Sequence, residues 1–147
     1  MAEQTATPAG RAVCTVVRAA EPYISKQGLS CAPAISAETV GASGIHMQLL
    51  TIPPGGRAKT HKHAAHETAI YVLSGEAGMH YGERLKQHLK VSAGEFLYIP
   101  ANVPHQPYNV SESEPCIAVV ARTDPNEQES VVLISDLDPA DLLHGSE

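Results

Sequence analysis

Three histidines lie close together in the segment from residue 59 to residue 75. His61 and His63 are two residues apart, and His66 follows them. In a β-strand, residues two apart leave the same face and are separated by roughly 7 Å along the backbone. That spacing suits one metal ion, because imidazole nitrogens bind borderline divalent ions such as zinc, iron, nickel and copper. The segment therefore predicts one part of a metal site.

A second segment, residues 94–109, supplies another histidine. Its short apolar run ends at Pro100 and leads through a turn to His105. A metal site needs ligands that converge from more than one part of the chain. We therefore predict that His61, His63 and His105 bind a common divalent metal ion.

The spacing of both segments resembles the two conserved motifs of the cupin superfamily. In the first motif, the glycine, the two histidines, the acidic residue and the final glycine correspond to Gly55, His61, His63, Glu67 and Gly75. This motif would bring its histidines and its acidic residue to one metal ion.

The second motif corresponds to Gly94, Pro100, Asn102, His105 and Asn109. The cupin pattern has a glycine where this chain has Asn102. Asparagine is the residue that best replaces glycine in a left-handed turn, so we expect the turn to be preserved.

The fourth metal ligand has two candidates. Glu67 lies one position too early relative to Gly75, and Thr68 stands where the motif has its glutamate. If Thr68 faces inward, strand alternation puts His66 on the same face and turns Glu67 away. If a β-bulge absorbs the extra residue, Glu67 faces inward instead. Alternation favours His66, which gives a predicted ligand set of His61, His63, His66 and His105.

The fold class predicted by the chain is all-β. Short runs of β-forming residues alternate with glycine and proline turns, which is typical of a sandwich or barrel. The cupin resemblance covers roughly residues 45–121 and implies a small jelly-roll barrel. We predict a flexible tail over residues 1–11, a cupin domain over residues 12–134, and a C-terminal segment, residues 135–147, with a short helix capped by Asp138.

Two predicted strands bear on the site and on assembly. Residues 45–52 form one strand, with His46 and Gln48 on one face; they bind substrate if that face lines the interior, and otherwise they lie on the surface. Residues 12–18 form another strand, which pairs either within its own sheet or, by resemblance to other cupins, with a neighbouring subunit of a homodimer.

Composition excludes several classes of protein. The chain of 147 residues has a formal net charge of -6 and no run of lysine or arginine, so nucleic acid is not an expected partner. No apolar stretch approaches the roughly 20 residues that cross a bilayer, and residues 1–11 carry no signal-peptide pattern. Three widely spaced cysteines are typical of free thiols in a reducing compartment. We therefore expect a cytoplasmic protein that acts on a small molecule.

Zinc is the favoured metal, with iron, nickel, manganese and copper as alternatives. Neutral histidines leave the ion its full charge, which favours polarisation of a carbonyl. The leading prediction is non-redox cyclisation or isomerisation of a small polycarbonyl molecule, and the resemblance to zinc-dependent polyketide cyclases of the cupin superfamily makes ring closure its concrete form. Glu67, if it does not bind the metal, is the candidate base. The alternatives are a dioxygenase that cleaves an enediol or flavonol-like substrate, and a non-catalytic small-molecule-binding cupin.

Overall fold

The computed structural model describes residues 12–128, 130–135 and 137. The predicted N-terminal tail, and the C-terminal helix expected to begin at Asp138, lie outside the described residues. The strands are β1 (Tyr23–Ile24), β2 (Ser30–Ile35), β3 (His46–Ile52), β4 (His61–His63), β5 (Thr68–Ser74), β6 (Glu76–Tyr81), β7 (Gln87–Ser92), β8 (Phe96–Ile99), β9 (His105–Asn109), β10 (Cys116–Arg122) and β11 (Val131–Leu133). A short helix, α1 (Ala37–Val40), and a 3₁₀ turn (Glu83–Leu85) complete the described elements.

Two antiparallel sheets form the barrel. The larger has the strand order β1-β2-β3-β10-β5-β8, and the smaller has the order β11-β4-β9-β6-β7. Strands that are distant in sequence, such as β3 and β10, are neighbours in space. This arrangement confirms the predicted all-β class and the jelly-roll barrel.

The core lies between the two sheets. It is formed by apolar side chains from both layers, including Leu29, Ile52, Val72, Val91 and Cys116. Strand β10 shows how the sequence builds it, because its buried and half-buried residues alternate without interruption from Cys116 to Arg122. Alternation with a period of two is what a strand with one face on the core requires.

The prediction that residues 12–18 form a strand within the chain's own sheets is wrong. Residues 12–22 form no strand, and the side chain of Val16 is 95% exposed. The position beside β3 is taken by β2, and β1 pairs with the far side of β2. A single backbone hydrogen bond, from Ala20 N to Pro33 O at 2.7 Å, ties this segment to the sheet. Pairing with a neighbouring subunit stays a prediction.

The outer face of the larger sheet carries an unusual share of exposed apolar side chains. Met47 and Leu49 project from β3, and Phe96 and Tyr98 project from β8, with exposed fractions of 41%, 38%, 79% and 60%. Strands β10 and β5 lie between them and continue the same face. We call these four side chains the outer apolar face.

Turn geometry fits the motif residues. Gly75 has a φ of +85°, and a side chain there would lie 2.7 Å from Pro115 O, so the turn between β5 and β6 requires glycine. Asn102 has a φ of +67°, which confirms that it adopts the left-handed conformation expected of the motif glycine. No helix among the described residues is long and apolar enough to cross a membrane.

Candidate metal centre

Three imidazole rings meet inside the barrel. His61 and His63 come from β4, and His105 comes from β9, where it is the register partner of His61. The ring centroids of His61 and His105 are 4.3 Å apart, and those of His61 and His63 are 5.1 Å apart. One nitrogen from each ring lies within 4.8 Å of the other two. The structure therefore brings together the three histidines that the two motifs predict; we call them the histidine triad.

Backbone carbonyls fix the orientation of two of these rings. Nδ1 of His61 donates to Lys59 O at 2.7 Å, and Nδ1 of His105 donates to Val103 O at 2.9 Å. A carbonyl oxygen only accepts hydrogen bonds, so the proton of each neutral ring is on Nδ1 and the lone pair is on Nε2. This is the arrangement in which a histidine binds a metal through Nε2 while a second group holds its other nitrogen.

Burial keeps the triad neutral. The three side chains are only 2–4% exposed. Burial, with the neighbouring His105, lowers the pKa of His61 to about 3. Burial lowers the pKa of His105 to about 4 and that of His63 further still. Neutral imidazoles with available lone pairs are the form that binds a divalent cation, so these residues fit a metal ion.

The triad faces an interior cavity with apolar walls. Water centres can occupy about 60 Å³ of it, which is room for roughly four to six water molecules. Its walls include Leu50, Val72, Met79 and Ile99. The described lining residues include no carboxylate. Besides the triad, the polar side chains in the wall are those of Gln27, Gln48, Thr68 and Arg122.

The structure does not bring His66 into the triad. His66 lies between β4 and β5, where Ala65 has a φ of +64°, and its Nδ1 is 3.4 Å from Thr123 Oγ1. The alternation argument fails here because β5 begins only at Thr68, so residue 66 does not follow the alternation of that strand. The geometry therefore provides three histidine ligands and gives no support for His66 as the fourth.

Glu67 also lies outside the cavity. Its carboxylate accepts a hydrogen bond from Tyr98 Oη at 2.9 Å, on the exposed outer side of the larger sheet. Thr68, by contrast, is 3% exposed and lines the cavity. Thr68 faces inward and Glu67 faces outward, as strand alternation at the start of β5 predicts. Glu67 is therefore not placed to act as a base within the cavity.

His46 and Gln48 lie on the buried face of β3, so the reading of them as surface residues is wrong. Both side chains are almost fully buried, at 0% and 2% exposure. Both ring nitrogens of His46 and the Oε1 atom of Gln48 have no hydrogen-bond partner. Gln48 lines the cavity, while His46 borders a second, neighbouring groove that shares Thr68 and Arg122 with the cavity. Their role in substrate binding stays a prediction.

Arg122 is the site residue that sequence reasoning missed. It ends β10, is 4% exposed, and lines the cavity together with the histidine triad. The signal was present in the sequence, because Cys116, Ala118 and Val120 alternate inward along β10 and Arg122 follows at the same spacing. The cupin resemblance was traced only as far as about residue 121, so it did not include Arg122.

Asn102 joins the two motifs. Its backbone N donates to His63 O at 3.1 Å, and its Oδ1 accepts from Ala65 N at 3.0 Å. Glycine could form only the first of these bonds. The asparagine therefore holds the turn before His105 against the end of β4.

Fold and site together define a double-sheet β-barrel protein with a buried three-histidine group that can hold a metal ion. The chain belongs to the cupin family: the family described as "Cupin domain" matches residues 48–122, just over half of the chain. No curated protein matches the chain.

Solved structures share the fold at low sequence identity. The oxalate decarboxylase of Lactobacillus farciminis, determined as a formate complex, is 19% identical with a TM-score of 0.66; the match covers 86% of this chain and 38% of that one. An uncharacterised conserved protein with a double-stranded β-helix domain from Klebsiella pneumoniae is 19% identical with a TM-score of 0.61, and the match covers 77% and 90%. A putative sugar phosphate isomerase from Acidithiobacillus ferrooxidans is 22% identical with a TM-score of 0.55, and the match covers 70% and 66%. This chain thus spans well under half of the oxalate decarboxylase and most of the Klebsiella protein.

Proposed function

We propose that this cupin is a metal-dependent enzyme that performs non-redox chemistry, an isomerisation or cyclisation, on a small carbonyl compound. The observation that carries the proposal is the buried triad of His61, His63 and His105, whose neutral rings face a cavity inside the barrel. A divalent ion, with zinc favoured, would be held by these three residues and would supply Lewis-acid polarisation of a carbonyl oxygen.

The chain's own residues would bind and enclose the substrate. Apolar walls such as Leu50, Val72 and Ile99 lower the local dielectric constant, which strengthens electrostatic interactions in the cavity. Gln48 lines the cavity and its Oε1 atom is unpartnered among the described residues; we propose that it orients the substrate, with His46 next to it on the buried face of β3. The carbonyls of Lys59 and Val103 keep the metal-binding nitrogens pointed inward.

The size of the cavity favours a small substrate. Space of about 60 Å³ for the centres of water-sized groups suits a compact molecule better than an extended one. A polyketide that closes an aromatic ring is several times larger, so this form of the proposal requires the barrel to open. An isomerisation of a small, enolisable carbonyl compound fits the cavity as it stands.

Proton exchange on carbonyl compounds tests the proposal directly. The zinc-loaded protein is incubated in deuterium oxide with a panel of small 2-oxo acids and 1,3-diketones, and NMR follows the loss of hydrogen next to the carbonyl. We expect the wild-type protein to accelerate exchange above the rate measured without protein, and the His105→Ala variant to show only that background rate. The His88→Ala variant, altered at an exposed histidine on β7, is the matched control and should behave as the wild type.

Measurements of oxygen uptake distinguish the proposed non-redox enzyme from a dioxygenase. Iron-, nickel- or copper-loaded protein that consumes oxygen with a substrate, while the zinc form exchanges no hydrogen, would replace this proposal with a dioxygenase. Tight binding of one small molecule without turnover by any metal form would indicate a binding protein.

We also propose that the protein is a homodimer whose contact includes the outer apolar face. Phe96 and Tyr98 are largely exposed there, and exposed apolar patches of this kind mark contact surfaces on soluble proteins. A second copy of the chain would present the same face, as a two-fold contact requires.

A further inference from the structure

Arg122 carries a buried charge whose hydrogen bonds the described residues leave largely unmade. Its side chain is 4% exposed, and its Nε and Nη1 atoms have no hydrogen-bond partner in the part of the chain that the structure describes. A guanidinium group stays protonated in proteins, and burying it without a partner costs several kcal/mol. Because this cost lowers the stability of the fold, we expect the buried charge to serve the function of the protein.

The groups around Arg122 do not supply the missing partner. Asp124 acts on it electrostatically, but Nε and Nη1 of Arg122 make no hydrogen bond to that carboxylate, whose oxygens accept from Asn126 N at 3.0 Å and Ser130 N at 3.1 Å. Burial raises the pKa of Tyr23 to about 12 and raises the pKa of Cys31, so both are neutral at pH 7. The positive charge of Arg122 therefore faces the cavity without a hydrogen-bonded anion.

Further unsatisfied polar atoms stand beside Arg122 in the sheet. In the register of the larger sheet, Arg122 pairs with His46 on one side and with Thr68 on the other. Within the described residues the hydroxyl of Thr68 lacks a partner, and so do both ring nitrogens of His46 and Oε1 of Gln48, two side chains that lie against each other. Native structures satisfy nearly all buried polar groups, so four neighbouring residues with orphaned atoms indicate a place where a ligand completes the hydrogen bonds.

Arg122 and Thr68 share one cavity with the histidine triad. Both line it together with His61, His63 and His105, while the rest of the wall is mostly apolar. Donors dominate the polar end, because the guanidinium only donates and a hydroxyl can donate. An anion fits this end of the cavity, and the planar fork of arginine matches a carboxylate.

We propose that Arg122, assisted by Thr68, binds the carboxylate of the substrate, and that the substrate is a small 2-oxo or 3-oxo acid whose carbonyl faces the histidine triad. This rests on the proposed function, and it narrows the substrate class from carbonyl compounds in general to keto acids. A compact molecule of this kind suits the space of about 60 Å³ for the centres of water-sized groups. In this role Arg122 orients the substrate and selects charged molecules over neutral ones.

Binding to the full-length metal-free protein tests the proposal without relying on turnover. The probes are pyruvate and pyruvamide, which have the same number of non-hydrogen atoms but differ in charge. Binding is followed by ¹H–¹⁵N NMR through the Nε–H signal of Arg122, which is assigned by its loss in the Arg122→Gln variant. We expect pyruvate to shift this signal and to bind about 10- to 100-fold more tightly than pyruvamide, as hydrogen bonds to a charged group predict.

The variants distinguish recognition from a structural role. Arg122→Gln should bind pyruvate about 10- to 100-fold more weakly and pyruvamide as before. Arg122→Lys, which keeps the charge but not the fork, should retain part of the preference for pyruvate. The control Arg84→Gln makes the same change of charge at an exposed position and should leave both affinities unchanged.

Several results would overturn the proposal. Equal affinity of the wild type for pyruvate and pyruvamide would do so even if Arg122→Gln failed to fold, and so would pyruvate binding that survives in Arg122→Gln. Because the metal-free protein is used, this failure differs from that of the proposed function. A protein that binds zinc and exchanges hydrogen on neutral diketones, but ignores the charge of pyruvate, would keep the function and lose the keto-acid assignment.

Discussion

Acidifying the metal-free protein should destabilise it steeply below about pH 6.5, because the histidine triad stays neutral in the folded barrel. The pKa of His61 is lowered to about 3 and that of His105 to about 4, and the pKa of His63 shifts in the same direction. Burial is the main cause in each case. In the unfolded chain these rings regain contact with water and their ordinary pKa.

The size of the effect follows from proton linkage. A histidine whose pKa is lowered on folding takes up a proton when the chain unfolds, so its contribution to stability is complete above the unfolded pKa and is lost as the pH falls toward the folded pKa. At about 1.4 kcal/mol per pH unit, each buried histidine should lower the free energy of unfolding by roughly 2 kcal/mol between about pH 6.5 and pH 5. Three together remove roughly 6 kcal/mol, which is comparable to the whole stability of about 5 to 15 kcal/mol of a typical domain.

Urea unfolding at a series of pH values, with a chelator present, measures this dependence. The variant His105→Gln removes one titrating ring, so its free energy of unfolding should fall with decreasing pH about one third less steeply than that of the wild type. The control Val72→Ala creates a cavity in the core near the same site. It should lower the stability by a similar amount at every pH and leave the slope unchanged.

Parallel curves for the wild type and His105→Gln would refute the reasoning. That result would mean that the rings are already solvated in the folded protein, and the same solvation would remove the argument for an enclosed site.

The remaining predictions concern the metal, the assembly and a turn. His105→Ala should reduce bound zinc from about one equivalent to almost none by elemental analysis, whereas His66→Ala should keep it because its ring lies outside the triad. Phe96→Glu should shift the protein from dimer to monomer in light scattering after size-exclusion chromatography, because it puts a charge on the outer apolar face. Gly75→Ala should lower the free energy of unfolding by roughly 2 to 5 kcal/mol, because it adds both backbone strain and a clash; Gly41→Ala, at a φ of +73° with nothing within 4 Å, should lose only roughly 1 to 2 kcal/mol.

Controls and contrary outcomes are available for each of these. Glu67→Gln should also keep its zinc, and loss of zinc from either this variant or His66→Ala would mean that the segment rearranges around the ion. Lys90→Glu changes charge on the smaller sheet and should leave the mass of the particle unchanged; a wild-type monomer would end the dimer proposal. Equal losses for the two glycine variants would show that the clash at Gly75 is relieved by movement of the backbone.

The sequence predicted the parts of the site that depend on periodicity within regular strands. His61 and His63 share a face because they are two apart in β4, and His105 follows the turn at Asn102. The inward direction of Thr68 follows in the same way from the alternation of β5. For these residues, the side-chain alternation expected from the sequence is the alternation that the folded strands show.

The failures have physical causes. His66 was assigned from strand alternation, but it lies in a turn with a left-handed residue, where alternation does not apply. The segment over residues 12–18 has the composition of a strand, but sheet formation depends on an available neighbour, and β2 occupies that place. The inward face of β3, with His46 and Gln48, breaks the usual pattern of buried apolar residues. Such exceptions are expected at functional sites.

The two histidine-bearing strands β4 and β9 are in register at only one point, the pair His61 and His105. β4 is three residues long and is held on its other side by β11, which is equally short. The junction between β4 and β9 therefore has the least strand pairing in the smaller sheet. An ion bound by both histidines would hold the two strands together. Amide hydrogens of Lys62 and Val132 should then exchange with solvent quickly in the metal-free protein and slowly once zinc is added. Metal binding would thus also determine how stable the strand pairing is at this edge of the barrel.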